Sequence, residues 1–252
     1  MAGVSIGLSA VKGGVGRSLL AANLAVALAQ KGLSVVLVDW APVCQSVLDL
    51  YWDVQPERAW DELLPVLTEL TSRHLELVLT PYEAVRKGSL ALLAAPREAG
   101  ERSFFPSAGV GMVLSLLAQQ FDVVVVDLPL AAHRLARKVL DRVTMPLLVI
   151  APDMATVRNT RCWLRGPGQA MRPRIVLNQQ RRGMPMRQRE IETYLDLSVT
   201  TVLPFDAAAA WQTVGLGRPF VLRGRRGLPA AMREWASRLY KMALSRAEAL
   251  AS

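Results

Sequence analysis

Short apolar runs alternate along the chain with longer stretches of helical periodicity. The first two apolar runs, residues 4–8 and 34–38, show no regular polar alternation, which is typical of strands buried on both faces of a parallel sheet. Between them, residues 19–30 predict an amphipathic helix that ends at Lys31 and Gly32, a basic residue followed by a C-terminal glycine. A strand, a helix and a second strand in this order predict a β-α-β unit.

The same alternation continues to the end of the chain. Residues 122–126 form the clearest later strand, closed by Asp127-Leu128-Pro129. Further strands are predicted at 75–79, 90–94, 147–150, 174–177 and 199–203, and further helices at 60–70, 110–119, 154–164, 187–195, 207–214 and about 230–250. We therefore predict an α/β fold with a single doubly wound, mostly parallel sheet and helices on both faces, in one domain spanning residues 1–252.

The last predicted helix carries one apolar stripe. Met232, Trp235, Leu239 and Met242 recur at three- and four-residue spacing, opposite a basic face. The stripe is narrow, so we expect this helix to pack on the domain, with insertion into lipid as the alternative.

Composition excludes several classes of protein. Hydrophobic residues make up 52% of the chain, but no apolar run approaches the roughly 20 residues that a membrane span needs. The N-terminus does not resemble a secretory signal, so we expect a cytoplasmic protein, with a peripheral position at the inner membrane face as an alternative. The cysteines and histidines are too few and too scattered for a disulfide framework or a zinc site: Cys44, Cys162, His74 and His133.

The net charge of +9 is concentrated in the second part of the chain. Residues 151–252 carry 17 Lys and Arg against 7 Asp and Glu, whereas residues 1–150 carry 13 against 14. The clustered arginines are Arg172, Arg174, Arg181, Arg182, Arg187, Arg189, Arg223, Arg225 and Arg226. This basic half either meets an anionic partner, such as non-specific DNA or an anionic membrane surface, or is simply a solvated face.

A glycine-rich loop joins the first predicted strand to the first predicted helix. Its sequence is Lys12-Gly13-Gly14-Val15-Gly16-Arg17-Ser18. Glycines let the backbone approach an anion, the following helix offers free N–H groups, and a hydroxyl at the helix start can bind Mg²⁺. The usual pattern G-x-x-x-x-G-K-[ST] fails twice, because Val11 and Arg17 replace its first glycine and its lysine.

The loop resembles the deviant form K-G-G-x-G-K-[ST] of the MinD/ParA family of P-loop ATPases. The resemblance implies ATP as ligand and a homodimer formed with ATP, in which Lys12 reaches the phosphates of the partner subunit. The nucleotide-binding residues that it implies are Gly13, Gly14, Val15, Gly16, Arg17, Ser18, Leu19, Asn178 and Pro204. In the family the last two positions contact the adenine; Asn178 alternatively caps a loop.

Asp127, at the end of a run of valines, looks like a Walker B acid. An acid there can hold the water shell of Mg²⁺ beside the phosphate loop, so we expect Ser18 and Asp127 to anchor magnesium. The alternative for Asp127 is a helix N-cap.

Three positions that the family uses in turnover are altered. Asp39-Trp40-Ala41 lies where the family carries D-x-D, so Ala41 replaces the acid that positions water. Ala131 replaces the glycine of the second switch, and Arg17 replaces the P-loop lysine. The resemblance makes Lys12, Arg17 and Asp39 the candidate catalytic residues, and we expect ATP binding with weak or degenerate hydrolysis.

Later segments look most similar to the CpaE/TadZ branch, with the cellulose-synthesis BcsQ group as a close competitor. These segments include residues 90–96, 175–178 and 203–206. The resemblance implies a spatial regulator that positions or assembles a larger machine of pilus, secretion or cellulose-export type, together with a protein component of that machine. The alternatives are a ParA-type DNA-segregation ATPase and a non-hydrolysing scaffold.

Overall fold

The computed structural model describes residues 3–42, 45–98, 104–166, 172–181, 183–184 and 186–251. The strands are β1 (Val4–Ser9), β2 (Ser34–Asp39), β3 (Leu79–Pro81), β4 (Ser89–Leu93), β5 (Val123–Asp127), β6 (Met145–Ile150), β7 (Arg174–Gln180) and β8 (Val199–Pro204). The helices are α1 (Arg17–Ala29), α2 (Leu48–Trp52), α3 (Ser72–Val78), α4 (Val110–Gln120), α5 (Arg134–Leu140), α6 (Met154–Leu164), α7 (Gln188–Leu195), α8 (Ala207–Val214) and α9 (Gly227–Ala251), with 3₁₀ helices at Trp60–Glu69 and Phe220–Leu222.

The strands form one eight-stranded sheet in the order β3-β4-β2-β5-β1-β6-β7-β8. Neighbouring strands run parallel except at one edge, where β3 pairs with β4 in antiparallel fashion. Every residue of β1, β5 and β6 is buried, as expected for strands covered on both faces. The predicted fold class is confirmed.

Helix α1 is more deeply buried than its predicted amphipathic pattern suggested. All residues from 20 to 29 are buried, because the sheet covers one side of the helix and α9 packs along another. The helix is confirmed, but the prediction that it is amphipathic was wrong. The small alanines of α1 let the neighbouring elements approach closely.

The apolar stripe of α9 packs as predicted. Met232, Trp235 and Leu239 are buried in the same cluster as α1, and Met242 is partly buried against it. No helix in the described ranges is long and apolar enough to cross a membrane.

The predicted strand at 75–79 is wrong. Residues 72–78 form α3, in which Leu75 and Val78 are buried three residues apart on one helix face. Thr71 and His74 form a capping box at its start, so the local signal for a helix outweighs the apolar run. Strand β3 begins only at Leu79.

The predicted helix at 60–70 forms a 3₁₀ helix that contains Pro65. Proline lacks an N–H group and clashes with the preceding turn, which disfavours a regular α-helix there. Two short helices, α2 and α5, were not predicted, since five and seven residues are too few to show a clear helical period.

Candidate functional site

The sheet register brings three predicted elements of the site to one edge. Asp127 pairs with Leu8 on one side and with Asp39 on the other. The glycine-rich loop follows directly after β1, so it lies at the same height as the two carboxyl groups. The carboxyl edge of the sheet thus gathers the loop, Asp39 and Asp127, as the parallel topology predicts.

The loop has the conformation of an anion cradle. Gly14 and Gly16 adopt left-handed φ values of 79° and 85°, which glycine adopts without strain. A Cβ atom on Gly13 or Gly14 would meet nothing within 4 Å, so the outer side of the loop is open. Helix α1 starts at Arg17, and its N-cap residue Gly16 has no side chain to cap the helix, which leaves backbone N–H groups available to a ligand.

A cavity of about 330 Å³ lies over this cradle. It is lined by the predicted residues Lys12, Gly13, Gly14, Val15, Gly16, Arg17, Ser18 and Leu19. Tyr51 of α2, Gln179 at the end of β7 and Val214 of α8 line it as well. These three were missed by sequence reasoning, because nothing in their local sequence indicates that they face the loop.

Two side-chain amides hold the loop in place through hydrogen bonds. The buried Asn178 donates from Nδ2 to the Val15 carbonyl at 2.9 Å, and Gln179 donates from Nε2 to the Gly14 carbonyl at 3.1 Å. Gln179 holds a left-handed φ of 61°, which is uncommon for a residue other than glycine. The geometry matches the loop-capping alternative for Asn178, and its contact with adenine stays a prediction.

Pro204 lies on the neighbouring strand end. It pairs with Gln180 across β7 and β8, and the Phe205 N–H donates to the Gln180 carbonyl at 2.9 Å. Arg181 stacks its guanidinium over the exposed Phe205 ring at 3.5 Å from the ring centre. Pro204 does not line the cavity over the loop, so its predicted contact with adenine also stays a prediction.

The Arg17 side chain lines the cavity and contacts the carboxyl edge of the sheet. Its Nε donates to Asp127 Oδ1 at 2.6 Å, and its Nη2 donates to Ser18 Oγ at 3.1 Å. The Asp127 side chain is 1% exposed and that of Arg17 is 16% exposed, so the ion pair is largely withdrawn from water. The structure therefore groups the P-loop arginine with both residues that were predicted to hold magnesium.

The donor chemistry of Ser18 and Asp127 suits Mg²⁺. A hydroxyl and a carboxylate are hard oxygen ligands, and magnesium commonly uses one or two carboxylates together with the phosphates of its substrate. However, the guanidinium is hydrogen-bonded to both groups and would have to move for an ion to reach them. The magnesium site stays a prediction.

Asp39 is buried and held by its own loop. Its Oδ1 accepts the Ala41 N–H at 3.0 Å, and its Oδ2 accepts the Ser46 hydroxyl. Burial, together with the negative charge of Asp127, raises the pKa of Asp39 to about 7, although Ser46, Ala41 and Arg17 act in the opposite direction. Asp39 does not line the cavity, so in this conformation it organises the switch segment.

The raised pKa of Asp39 predicts a specific dependence of stability on pH. In the unfolded chain the carboxyl titrates near 3.8, so between that pH and about 7 the folded state binds one proton more. The resulting stabilisation is complete below pH 3.8 and is lost as the pH rises to about 7. Urea unfolding of the nucleotide-free wild type should show its free energy of unfolding falling by on the order of 2–4 kcal/mol more than that of Asp39→Asn over this pH range. Parallel pH profiles of the two proteins would contradict it.

The second switch segment is fixed by hydrogen bonds. The Ser9 hydroxyl donates to the Pro129 carbonyl at 2.7 Å, and the Ala131 N–H donates to the Ala10 carbonyl at 2.8 Å. Trp163 of α6 donates from its indole N–H to the Ala131 carbonyl at 2.9 Å. Ala131 is fully buried without a positive φ, so this conformation does not require the glycine that the family carries there.

Lys12 lies at the rim of the site. Its Nζ is 3.6 Å from Asp153 Oδ1 at the start of α6, and both side chains are about half exposed. Burial alone would raise the pKa of Asp153, but the hydrogen bonds from Thr156 and the charge of Lys12 lower it below its usual value. An exposed pair of this kind contributes little to stability, so Lys12 can extend toward another partner.

A doubly wound parallel sheet with this loop after β1 and acids at the ends of β2 and β5 defines a P-loop domain of the MinD/ParA class. The crystal structure of a ParA family ATPase from Chlorobium tepidum superimposes with a TM-score of 0.84 at 21% identity, covering 94% of this chain and 99% of that chain. The septum site-determining protein MinD of Pyrococcus horikoshii, solved in complex with Mg-ADP, gives a TM-score of 0.77 at 20% identity, covering 96% and 98%. These likenesses establish the fold.

The family model for cellulose biosynthesis protein BcsQ matches residues 3–205. The chain therefore belongs to the BcsQ family, the group that sequence analysis gave as a competitor, while the similarity to the CpaE/TadZ branch stays a prediction. The septum site-determining protein MinD of Helicobacter pylori is 23% identical over 157 residues, covering 62% of this chain. The chain spans little more than half of that relative, since the match covers 56% of its length.

Proposed function

We propose that this protein is an ATP-binding, ATP-dependent dimerising spatial regulator that positions or assembles a larger cellular machine. The observation that carries the proposal is the open anion cradle formed by the loop. Gly14 and Gly16 of this cradle have left-handed φ values, and a cavity lies over them at the N-terminus of α1. Membership of the BcsQ family favours a machine of the cellulose-export type over a pilus or secretion machine.

The ligand that suits this cradle is a nucleoside triphosphate. Backbone N–H groups of the loop and of the first turn of α1 would bind the phosphates, and Lys12 adds a positive charge at the rim. The Pyrococcus horikoshii relative was solved with Mg-ADP, which supports an adenine nucleotide as the ligand class. Ser18 and Asp127 would supply the oxygen ligands if magnesium accompanies the nucleotide.

The dimer is proposed from Lys12 together with the family resemblance. Lys12 is about half exposed and its ion pair with Asp153 is weak, so its side chain can reach beyond its own subunit. Nucleotide binding and association would then be coupled, because the phosphates attract a lysine from each side of the interface.

We expect Lys12→Ala to lower the fraction of dimer formed with a non-hydrolysable ATP analogue by about tenfold, a loss typical of one desolvated charge contact. Light scattering with and without the analogue measures this fraction. The control is Lys31→Ala, which removes an exposed lysine at the far end of α1. Equal dimer formation by Lys12→Ala and the wild type would contradict the proposed interface. Dimers of equal mass without nucleotide would favour a scaffold.

Slow hydrolysis is proposed from the residues that replace the family's turnover positions. Ala41 is buried and has no polar side-chain group to orient water, and the Arg17 guanidinium, although Arg17 lines the cavity, is held by Asp127. Phosphoryl transfer depends on positioning and on charge stabilisation, so both changes reduce it.

Arg17→Lys combined with Ala41→Asp should therefore raise ATP turnover by about tenfold or more, as expected when a positioned group is restored. Phosphate release measured beside the wild type tests this expectation. The single change Ala41→Ser, which adds a hydroxyl without a carboxylate, is the control. Rapid hydrolysis by the wild type itself would show that another residue positions the water.

The second candidate function is binding to an anionic partner, either DNA, as in a DNA-segregation ATPase, or a membrane surface, as in a peripheral membrane protein. Its support is the exposure of the basic residues in the second part of the chain: Arg172, Arg174, Arg181, Arg187, Arg189, Arg223, Arg225 and Arg226. Arg182 and Cys44, named in the sequence analysis, lie outside the described residues. Duplex binding with a steep salt dependence would favour DNA, and flotation with anionic liposomes would favour a membrane surface.

A further inference from the structure

The guanidinium of Arg17 bridges the two oxygen groups that a P-loop site offers to a metal ion. Nε lies 2.6 Å from Asp127 Oδ1, Nη2 lies 3.1 Å from Ser18 Oγ, and Nη2 lies 3.5 Å from Asp127 Oδ2. A single planar cation thus contacts both the hydroxyl at the start of α1 and the acid at the end of β5. The contacts with Asp127 join residues that are 110 positions apart in the sequence, whereas Ser18 is the neighbour of Arg17.

The ion pair between Arg17 and Asp127 is strengthened by its burial. Asp127 is 1% exposed, and Asp39 pairs with it across the adjacent strand, so two carboxyl groups lie side by side with little water. A charge-assisted hydrogen bond in such surroundings is shorter and stronger than one at the surface. Withdrawing Arg17 would leave Asp127 buried beside a second carboxyl group and without its cation.

Arginine is suited to this position in a way that lysine is not. A guanidinium presents several donors in a rigid plane and can bridge two oxygen groups, whereas an ammonium is a compact charge on a flexible stem. Arg17 also lines the cavity over the loop and is the first residue of α1, whose N-terminal N–H groups would face phosphate. Its positive charge would therefore neutralise both the Asp127 carboxylate and the phosphates, which is the role that a divalent ion has in such sites.

We propose that Arg17 takes the place of magnesium in this site, so that the loop holds a nucleotide without a divalent cation. The inference rests on the proposed nucleotide binding and states the metal requirement of that same site. Arg17 and Mg²⁺ compete for Ser18 and Asp127, and in this sequence the guanidinium has the advantage because it is covalently attached beside them.

The test measures the dissociation constant of ATP by calorimetry, once with excess MgCl₂ and once with excess EDTA. We expect the wild type to change by less than about threefold between the two conditions, which is under 1 kcal/mol of binding free energy. Arg17→Lys, which cannot bridge both groups, should lose about tenfold or more in EDTA. The matched control is Arg58→Lys, at an exposed ion pair with Glu62 away from the site, and it should behave as the wild type.

The outcomes separate the replacement of magnesium by Arg17 from the proposed nucleotide binding itself. A wild type that binds ATP in MgCl₂ but loses about tenfold or more in EDTA overturns the inference and leaves the proposed function intact. A wild type that binds in neither condition overturns both. Because the decisive ratio is measured on the unmodified protein, it stands even if Arg17→Lys folds poorly. Direct titration with Mn²⁺ gives a second readout, and tight Mn²⁺ binding by the wild type would also count against the inference.

Discussion

Arg17→Met is expected to lower the free energy of unfolding by about 3 kcal/mol, because it removes one partner of a buried ion pair. Asp127 would remain 1% exposed next to Asp39, with no cation to compensate its charge. Methionine keeps much of the side-chain volume, so the loss reports charge and hydrogen bonding rather than a cavity. Denaturant unfolding of the nucleotide-free protein measures the change.

Two comparisons make this result specific. Arg58→Met breaks an exposed ion pair with Glu62 and should cost about 0.5 kcal/mol or less. Adding Asp127→Asn to Arg17→Met should restore part of the lost stability, because it removes the unpaired charge. A loss below about 1 kcal/mol for Arg17→Met would mean that water reaches Asp127 and that the pair is not buried in solution.

Gly16→Ala is expected to weaken nucleotide binding by about a hundredfold, the largest loss of affinity that a single methyl group should cause here. Gly16 has a φ of 85°, which disfavours any side chain, and a Cβ atom there would lie 2.6 Å from Asn178 Nδ2. The amide that supports the Val15 carbonyl would have to move, and the cradle would lose its shape. ATP titration by calorimetry measures the loss.

Gly111→Ala is the matched control for this change. Gly111 lies in α4, and the nearest atom to an added Cβ is Arg142 Nε at 3.8 Å, an ordinary contact. Alanine there should leave nucleotide binding unchanged and add about 0.5 kcal/mol or more of stability, since it favours a helix. Unchanged ATP affinity in a folded Gly16→Ala protein would contradict the assignment of the loop as the nucleotide site.

The sequence alone predicted most of the strands, the longer helices and the place of the loop. These features depend on local patterns: buried strands appear as apolar runs, and the cradle requires glycines at positions with left-handed φ. The errors fell where local patterns are short or ambiguous. The apolar run at 75–79 has the spacing of α3 as well as of a strand, and α2 and α5 are too short to be recognised.

The tertiary structure alone decided what the site residues contact. Sequence reasoning placed Arg17 opposite phosphates, but the register of β1 and β5 brings it against Asp127. In the same way, the end of β7 places Asn178 and Gln179 against the loop. The physical reason is that backbone patterns depend on residues a few positions apart, whereas the partner of a charged or polar side chain is set by strands that meet from distant parts of the chain.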